Sequence, residues 1–199
     1  MARTDIHLAN ADDSKLLGET LALAMHDDPV FAWWVPGETL RDAVFVPMFT
    51  AALAEKYIPR GQVYWAADGN AAAMWAPPDR WKSTEEETRR MGPQMVEILG
   101  PHLARAGVIQ QLIADCHPDA AHYYLQTIGV RPALQGRGVG SALLADMLAR
   151  CDEEGIGAYL EASNENSRRL YERHDFVVQQ ELRIPDGPSM WAMWRAPHD

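Results

Sequence analysis

The stretch Val130-Arg131-Pro132-Ala133-Leu134-Gln135-Gly136-Arg137-Gly138-Val139-Gly140-Ser141 decides how the rest of this chain is read. Before it runs His122–Val130, rich in aromatic and β-branched residues and so expected to be a strand. After it, Leu144, Met147, Leu148 and Cys151 recur at helical spacing, which predicts a helix reaching about Asp152. Three glycines within five residues therefore open a helix directly behind a strand. Glycines let backbone N–H groups approach a pyrophosphate closely, and the helix N-terminus adds its dipole. A glycine-rich turn is also often only a turn. Two other phosphate motifs fit poorly. The dinucleotide fingerprint would want Gly or Ala where Ser141 stands, and the Gly-Lys-Ser/Thr of a P-loop is absent.

Downstream, Ala158–Ala162 reads as the next strand, and Ser163 or Asn164 caps a short helix through about Arg173. Phe176–Ile184 and Met190–Trp194 form an antiparallel pair across Pro185-Asp186-Gly187-Pro188. Upstream, Thr4–Leu8 is a short strand, followed by a helix through about Met25 that Asp28-Pro29 breaks. Phe31–Val35 reads as a short helix or turn, and Glu38–Tyr57 as a longer helix. Gln62–Ala67 and Ala71–Ala76 make a hairpin around Asp68-Gly69-Asn70. Ser83 with Glu86 suggests a capping box for a helix towards Leu99, divided or bent at Gly92-Pro93. A further helix covers about Pro101–Cys116. The expected fold is a mixed α/β domain spanning 1–199, with the strand–Gly-loop–helix–strand unit at its centre.

With 199 residues, 47% hydrophobic and 23% charged, the chain has the profile of one globular domain. Two cysteines, Cys116 and Cys151, support neither a disulfide framework nor a cysteine-rich zinc site, and the histidines show no metal spacing. No apolar run approaches the roughly 18 residues of a membrane helix, and Met1 to Asp13 lacks the apolar stretch of a secretory signal. The compartment expected is the cytoplasm, with no membrane partner. The net charge is −10, from 28 acidic and 18 basic residues. Such a field repels nucleic acid and draws in small cations. A polyanionic ligand would have to be held by local backbone donors and a few arginines.

The segment Gln135–Gly140, preceded by Val130-Arg131-Pro132, matches Gln-x-x-Gly-x-Gly/Ala, and it resembles the coenzyme A signature of the GNAT superfamily. Asn164-Glu165-Asn166-Ser167-Arg168-Arg169-Leu170-Tyr171-Glu172-Arg173 resembles a second element of that family, with Ser167 in place of Ala, and Phe176 opens the next strand as the family's Phe does. A looser likeness, at Thr127–Val130, Leu160–Ser163 and Ile184–Pro188, points towards the puromycin N-acetyltransferases. One position departs from the pattern. Asp175 stands where the family has glycine, and a positive φ there would cost an aspartate roughly 1 kcal/mol.

The resemblance implies an acetyl-CoA-dependent N-acetyltransferase needing no metal. About 1–118 would form the acceptor side and about 119–199 the acetyl-CoA core. Ile128, Gly129 and Val130 would pair with the pantetheine and polarise the thioester carbonyl. Gln135, Gly136, Arg137, Gly138, Val139, Gly140 and Ser141 would cradle the phosphates, helped by Asn164 and Arg169. Tyr171 is implied as the acid that protonates the leaving thiolate, the alternative being a core aromatic. Glu161 is the candidate base, the alternative being a strand carboxylate bonded for structure. His26, Asp27, Trp33, Trp34 and Trp75 are the candidates for binding the acceptor, although buried tryptophans are more often core. The acceptor expected is a small-molecule primary amine, with an aminoacyl compound of the puromycin kind as one candidate. A protein lysine or N-terminus, and a non-catalytic acyl-CoA-binding module, are the alternatives. The chain is expected to be a monomer or homodimer.

Overall fold

The computed structural model describes residues 4–198. Its strands are β1 (Ile6–Leu8), β2 (Val63–Ala66), β3 (Ala71–Ala76), β4 (His122–Val130), β5 (Gly157–Ala162), β6 (Val177–Arg183) and β7 (Ser189–Arg195). They form one sheet in the order β1-β2-β3-β4-β5-β7-β6. Only the β4–β5 pair is parallel, as the glycine loop and helix between them require. The helices are α1 (Ser14–Met25), α2 (Pro29–Trp34), α3 (Glu38–Ala52), α4 (Glu85–Leu99), α5 (Leu103–Cys116), α6 (Val139–Glu154) and α7 (Glu165–Glu172).

Alternation along the strands sends side chains into two separate cores. On one face Leu17 and Leu21 of α1 and Phe45 and Phe49 of α3 pack against Tyr124 and Tyr159. On the other, Leu143, Leu144, Met147 and Leu148 of α6 pack against Trp75, Tyr123, Leu125 and Leu160. Each such burial stabilises by about 1.5–3 kcal/mol.

Strand β4 is irregular on both sides. The β4–β5 ladder ends at Leu125↔Leu160, so the two strands part beyond it. On its other side β4 pairs Leu125 with Trp75 and Thr127 with Met74, leaving Gln126 without a partner on β3. This bulge makes Gln126 and Thr127 project together, a common way to re-aim a side chain.

Three local expectations are corrected. The capping box lies one residue later, at Thr84 and Glu87, because the Thr84 hydroxyl accepts from the Glu87 N–H (3.1 Å) and Glu87 accepts from the Thr84 N–H (2.8 Å). Glu87 is fixed there by Arg60, at 2.5 Å. Pro93 does not divide α4, which runs unbroken through it. The helix expected over Glu38–Tyr57 is α-helical only to Ala52, then widens into a π turn at Leu53–Tyr57.

Candidate active site

Where β4 and β5 part, they open a cleft of ≈ 890 Å³ bounded by the glycine loop, the start of α7 and the α1–α2 junction. The loop forms its lower wall. Gly136 (φ 72°) and Gly138 (φ 84°) are left-handed, and Gly138 is the N-cap of α6 without a side-chain capping bond. A Cβ added at either would meet nothing within 4 Å, so its place is open space. The first N–H groups of α6, on Val139, Gly140 and Ser141, thus face a void at the positive end of a helix dipole. Gln135 ties the loop to the strand by donating from Nε2 to the Val130 carbonyl at 3.0 Å.

The strand wall is polar on its open side. Arg131 donates its N–H to the Asn70 carbonyl, so by alternation the N–H groups of Ile128 and Val130 point away from β3 into the gap. Gly129 admits α1, since a Cβ there would lie 2.7 Å from that of Ala24.

The far wall starts at Asn164, the N-cap of α7, whose Oδ1 accepts from the Ser167 N–H at 2.9 Å. Tyr171, 7% exposed, lines the cleft one helix length further on. Burial, and the Asp28 carboxylate nearby, push its phenol well above the ordinary range. Asp175 does adopt a positive φ, 65°. The Phe176 N–H bonds to the Tyr171 carbonyl and the Asp175 N–H to that of Glu172, a Schellman ending in which aspartate replaces the usual glycine. Opposite, Glu161 accepts from the Tyr124 hydroxyl at Oε2 (2.7 Å), while its buried Oε1 has no partner among the described residues. Burial pushes this carboxyl up to about 7, against the pull of hydrogen bonds from Tyr124 and Tyr159.

The structure divides the candidate residues. Ile128, Gly129, Val130, Gln135, Gly136, Gly138, Val139, Gly140, Ser141, Glu161, Asn164, Tyr171 and Asp27 line the cleft, whereas Arg137, Arg169, His26, Trp33, Trp34 and Trp75 do not. Trp75 is wholly buried in the α6-side core. Trp33 lies against Gly187 and under Arg105, and Trp34 donates to the His102 carbonyl and packs against Phe45, so α2 turns both rings away from the cleft into its own packing and leaves Phe31 at the cleft. His26 bonds to Asp27 and to the Glu38 carbonyl. Arg169 pairs with Glu165 along α7. Asp28 is fully engaged: Oδ1 accepts from the N–H groups of Val30 and Phe31, and Oδ2 from Ser163 and Asn164.

Sequence reasoning did not single out Tyr124, Gln126, Tyr57 or Arg173. Tyr124 could have been found by pairing the two strands, since it is opposite Tyr159, one same-face step from Glu161.

Residues 98–176 match the Acetyltransferase (GNAT) family. An N-acetyltransferase of Schizosaccharomyces pombe is 28% identical over 194 residues, covering 87% of this chain and 74% of that protein. A Corynebacterium glutamicum structure described as histone acetyltransferase HPA2 and related acetyltransferase superposes with a TM-score of 0.77 at 27% identity, covering 99% of this chain and 98% of that one. The fold is the GNAT fold, and residues 98–176 carry the sequence pattern of that acetyltransferase family. Arylalkylamine N-acetyltransferase 2 of Aedes aegypti shares that GNAT fold at a TM-score of 0.63 and 13% identity, covering 98% and 99% of the two chains. GNAT acetyltransferases use acetyl-CoA, and the residues present fit it. Backbone donors and left-handed glycines at a helix N-terminus are what a pyrophosphate needs, and strand N–H groups turned away from β3 suit an extended amide chain. Among the described residues no group of three or more His, Cys, Asp or Glu side chains gathers as a metal site, and no helix is long and apolar enough to cross a membrane.

Proposed function

We propose that this chain acetylates the primary amine of a small molecule by direct transfer, with Glu161 as general base and Tyr171 as general acid. Acetyl-CoA supplies the activated acyl group as a thioester. Gly136–Ser141 would hold its pyrophosphate, and the N–H of Ile128 or Val130 would polarise its carbonyl. Glu161 takes the amine's proton at Oε1, the oxygen left without a partner. Tyr171 keeps its proton at working pH and gives it to the departing sulfur, whose basicity rises in the same buried pocket.

The observation that carries this reading is that a raised carboxyl and a raised phenol line one cleft from opposite walls. The carboxyl value favours weakly basic amines. Against an α-amino group near 7.8 the proton transfer is uphill by ~1 kcal/mol, and against an alkylammonium near 10.4 by ~5 kcal/mol. Met25, Pro29 and Phe31 supply an apolar wall for the acceptor's body. An aminoacyl amine of the puromycin kind suits both features. The likeness to a structure named for a histone acetyltransferase supports a protein amine as second reading.

The test is free-CoA release from acetyl-CoA with a panel of amines that includes puromycin, aminoacyl amides and a lysine peptide. Release driven by the aminoacyl amines is expected. If acetyl-CoA binds but only the peptide drives release, the small-molecule reading is wrong.

A further inference from the structure

Gln126 is the residue the β4 bulge leaves without a partner on β3, and its side chain reaches the cleft on the face shared with Glu161. The amide is not free to choose its orientation. The hydroxyl of Tyr57, a residue 3% exposed, donates to Gln126 Oε1 at 2.8 Å. A buried phenol must place its hydrogen somewhere, and a carbonyl oxygen is its best acceptor. Tyr57 in turn is set by the π turn at Leu53–Tyr57, a feature that tends to occur at functional positions. With Tyr57 anchoring its oxygen end, Gln126 leaves its NH₂ group, which has no partner among the described residues, as the donor it can offer the cleft.

Two polar groups of opposite character therefore serve the acceptor. Glu161 presents a bare oxygen, and Gln126 presents hydrogens. Charge narrows the choice further. The carboxylates of Asp27, Asp28, Glu161 and Glu165 line the cleft, and among the described residues Arg173 is the one cationic side chain that does. It stands on the α7 wall, beyond Tyr171. An acceptor carrying a free carboxylate would meet repulsion and no compensating cation on this side.

We propose that Gln126, held by Tyr57, determines specificity by selecting amines that carry a neutral oxygen acceptor beside the amino group, such as the carbonyl of an aminoacyl amide or ester. The amine goes to Glu161, the oxygen to the Gln126 NH₂, and an apolar side chain to Phe31. Free amino acids are rejected by charge. Gln126 is exposed in the open cleft, so an amine without the oxygen would, once seated, cover its donor without pairing it, a loss of the kind that sites built for a hydrogen bond impose. This selectivity rests on the acetyl-transfer reading of the cleft.

The experiment compares kcat/KM for phenylalaninamide and for 1-phenylpropan-2-amine, which has a methyl group in place of the carboxamide, with free phenylalanine as a third probe. The readout is the amide-to-alkylamine ratio in each protein, so the differing basicities of the two amines cancel between variants. Gln126→Leu should lower that ratio about tenfold and Tyr57→Phe severalfold, the latter because the amide is then free to turn. Gln126→Glu, which keeps the shape and the acceptor for Tyr57 but removes the donors, should lower it at least as far, and it stands in if the leucine variant does not fold. Free phenylalanine should be the poorest of the three. A ratio within twofold of wild type in both Gln126 variants overturns the assignment while leaving acetyl transfer intact. No acetylated product from any of these amines, with acetyl-CoA bound, overturns the small-molecule transfer reading on which the assignment rests.

Discussion

Tyr124 donates to Glu161 across the β4–β5 pair at 2.7 Å, occupying one carboxylate oxygen and leaving the other buried and bare in the cleft. Burial outweighs the hydrogen bonds that the carboxylate receives from the tyrosines beside it, so the carboxyl rises to about 7. A group poised at neutrality is what base catalysis at neutral pH requires.

The raised value has a consequence for stability. A carboxyl raised by folding contributes fully below its unfolded value, near 4.3, and that contribution is lost as pH rises through about 7. Glu161→Gln does not titrate. Urea unfolding should therefore find the variant more stable relative to wild type at pH 8 than at pH 4, by about 1–3 kcal/mol after allowance for solvent screening. A difference independent of pH would mean that Glu161 has an ordinary carboxyl.

Tyr171→Phe should lower kcat by 10²- to 10⁴-fold with little change in acetyl-CoA affinity, since a proton given to the leaving sulfur matters mainly in the transition state. The ring also packs edge-on against Phe176, a contact that phenylalanine keeps. Turnover within twofold of wild type, with chemistry rate-limiting, would assign the acid role elsewhere.

The cradle should tolerate lost charge better than lost space. Gly138→Asp forces a side chain into a left-handed position and a negative charge into the opening of the loop, so calorimetry should find acetyl-CoA binding abolished in a folded protein. Arg173→Ala should weaken binding more than Arg137→Ala, because both side chains are exposed but only Arg173 lines the cleft. Both losses should shrink with added salt. Near-normal affinity in Gly138→Asp would remove the basis for placing the coenzyme there.

Asp28 joins the two halves of the site by capping α2 and accepting from Ser163 and Asn164. Asp28→Ala removes a cap and strands two part-buried donors, so thermal or urea unfolding should show a loss of about 2–4 kcal/mol. A loss under about 0.5 kcal/mol would show that these bonds are not maintained in solution.

The glycine loop, its strand and its helix were legible because each rests on local chemistry: a strand composition, glycines at a turn, an apolar stripe. The start of α7 was legible for the same reason, with Ser163 or Asn164 as its cap, and the structure assigns the cap to Asn164. The acceptor side was not, because it is assembled across the sheet. Gln126 enters the cleft through a bulge that no local pattern announces, and Tyr57 reaches it from 69 residues away. The tryptophans misled because α2 is only six residues long. A one-position rotation on so short a helix decides whether Phe31 or Trp34 faces the cleft. Trp75 misled for a simpler reason: on an all-buried strand, the choice of face lies in the register.

The most direct test of acid–base transfer in this cleft is the pH dependence of kcat for an aminoacyl amide, in wild type and Glu161→Gln, with both substrates saturating. The wild-type rate should rise through about pH 7 and level off, and the variant should be slower and lack that limb. A Glu161→Gln variant that keeps both the limb and the wild-type rate would contradict acid–base transfer through Glu161.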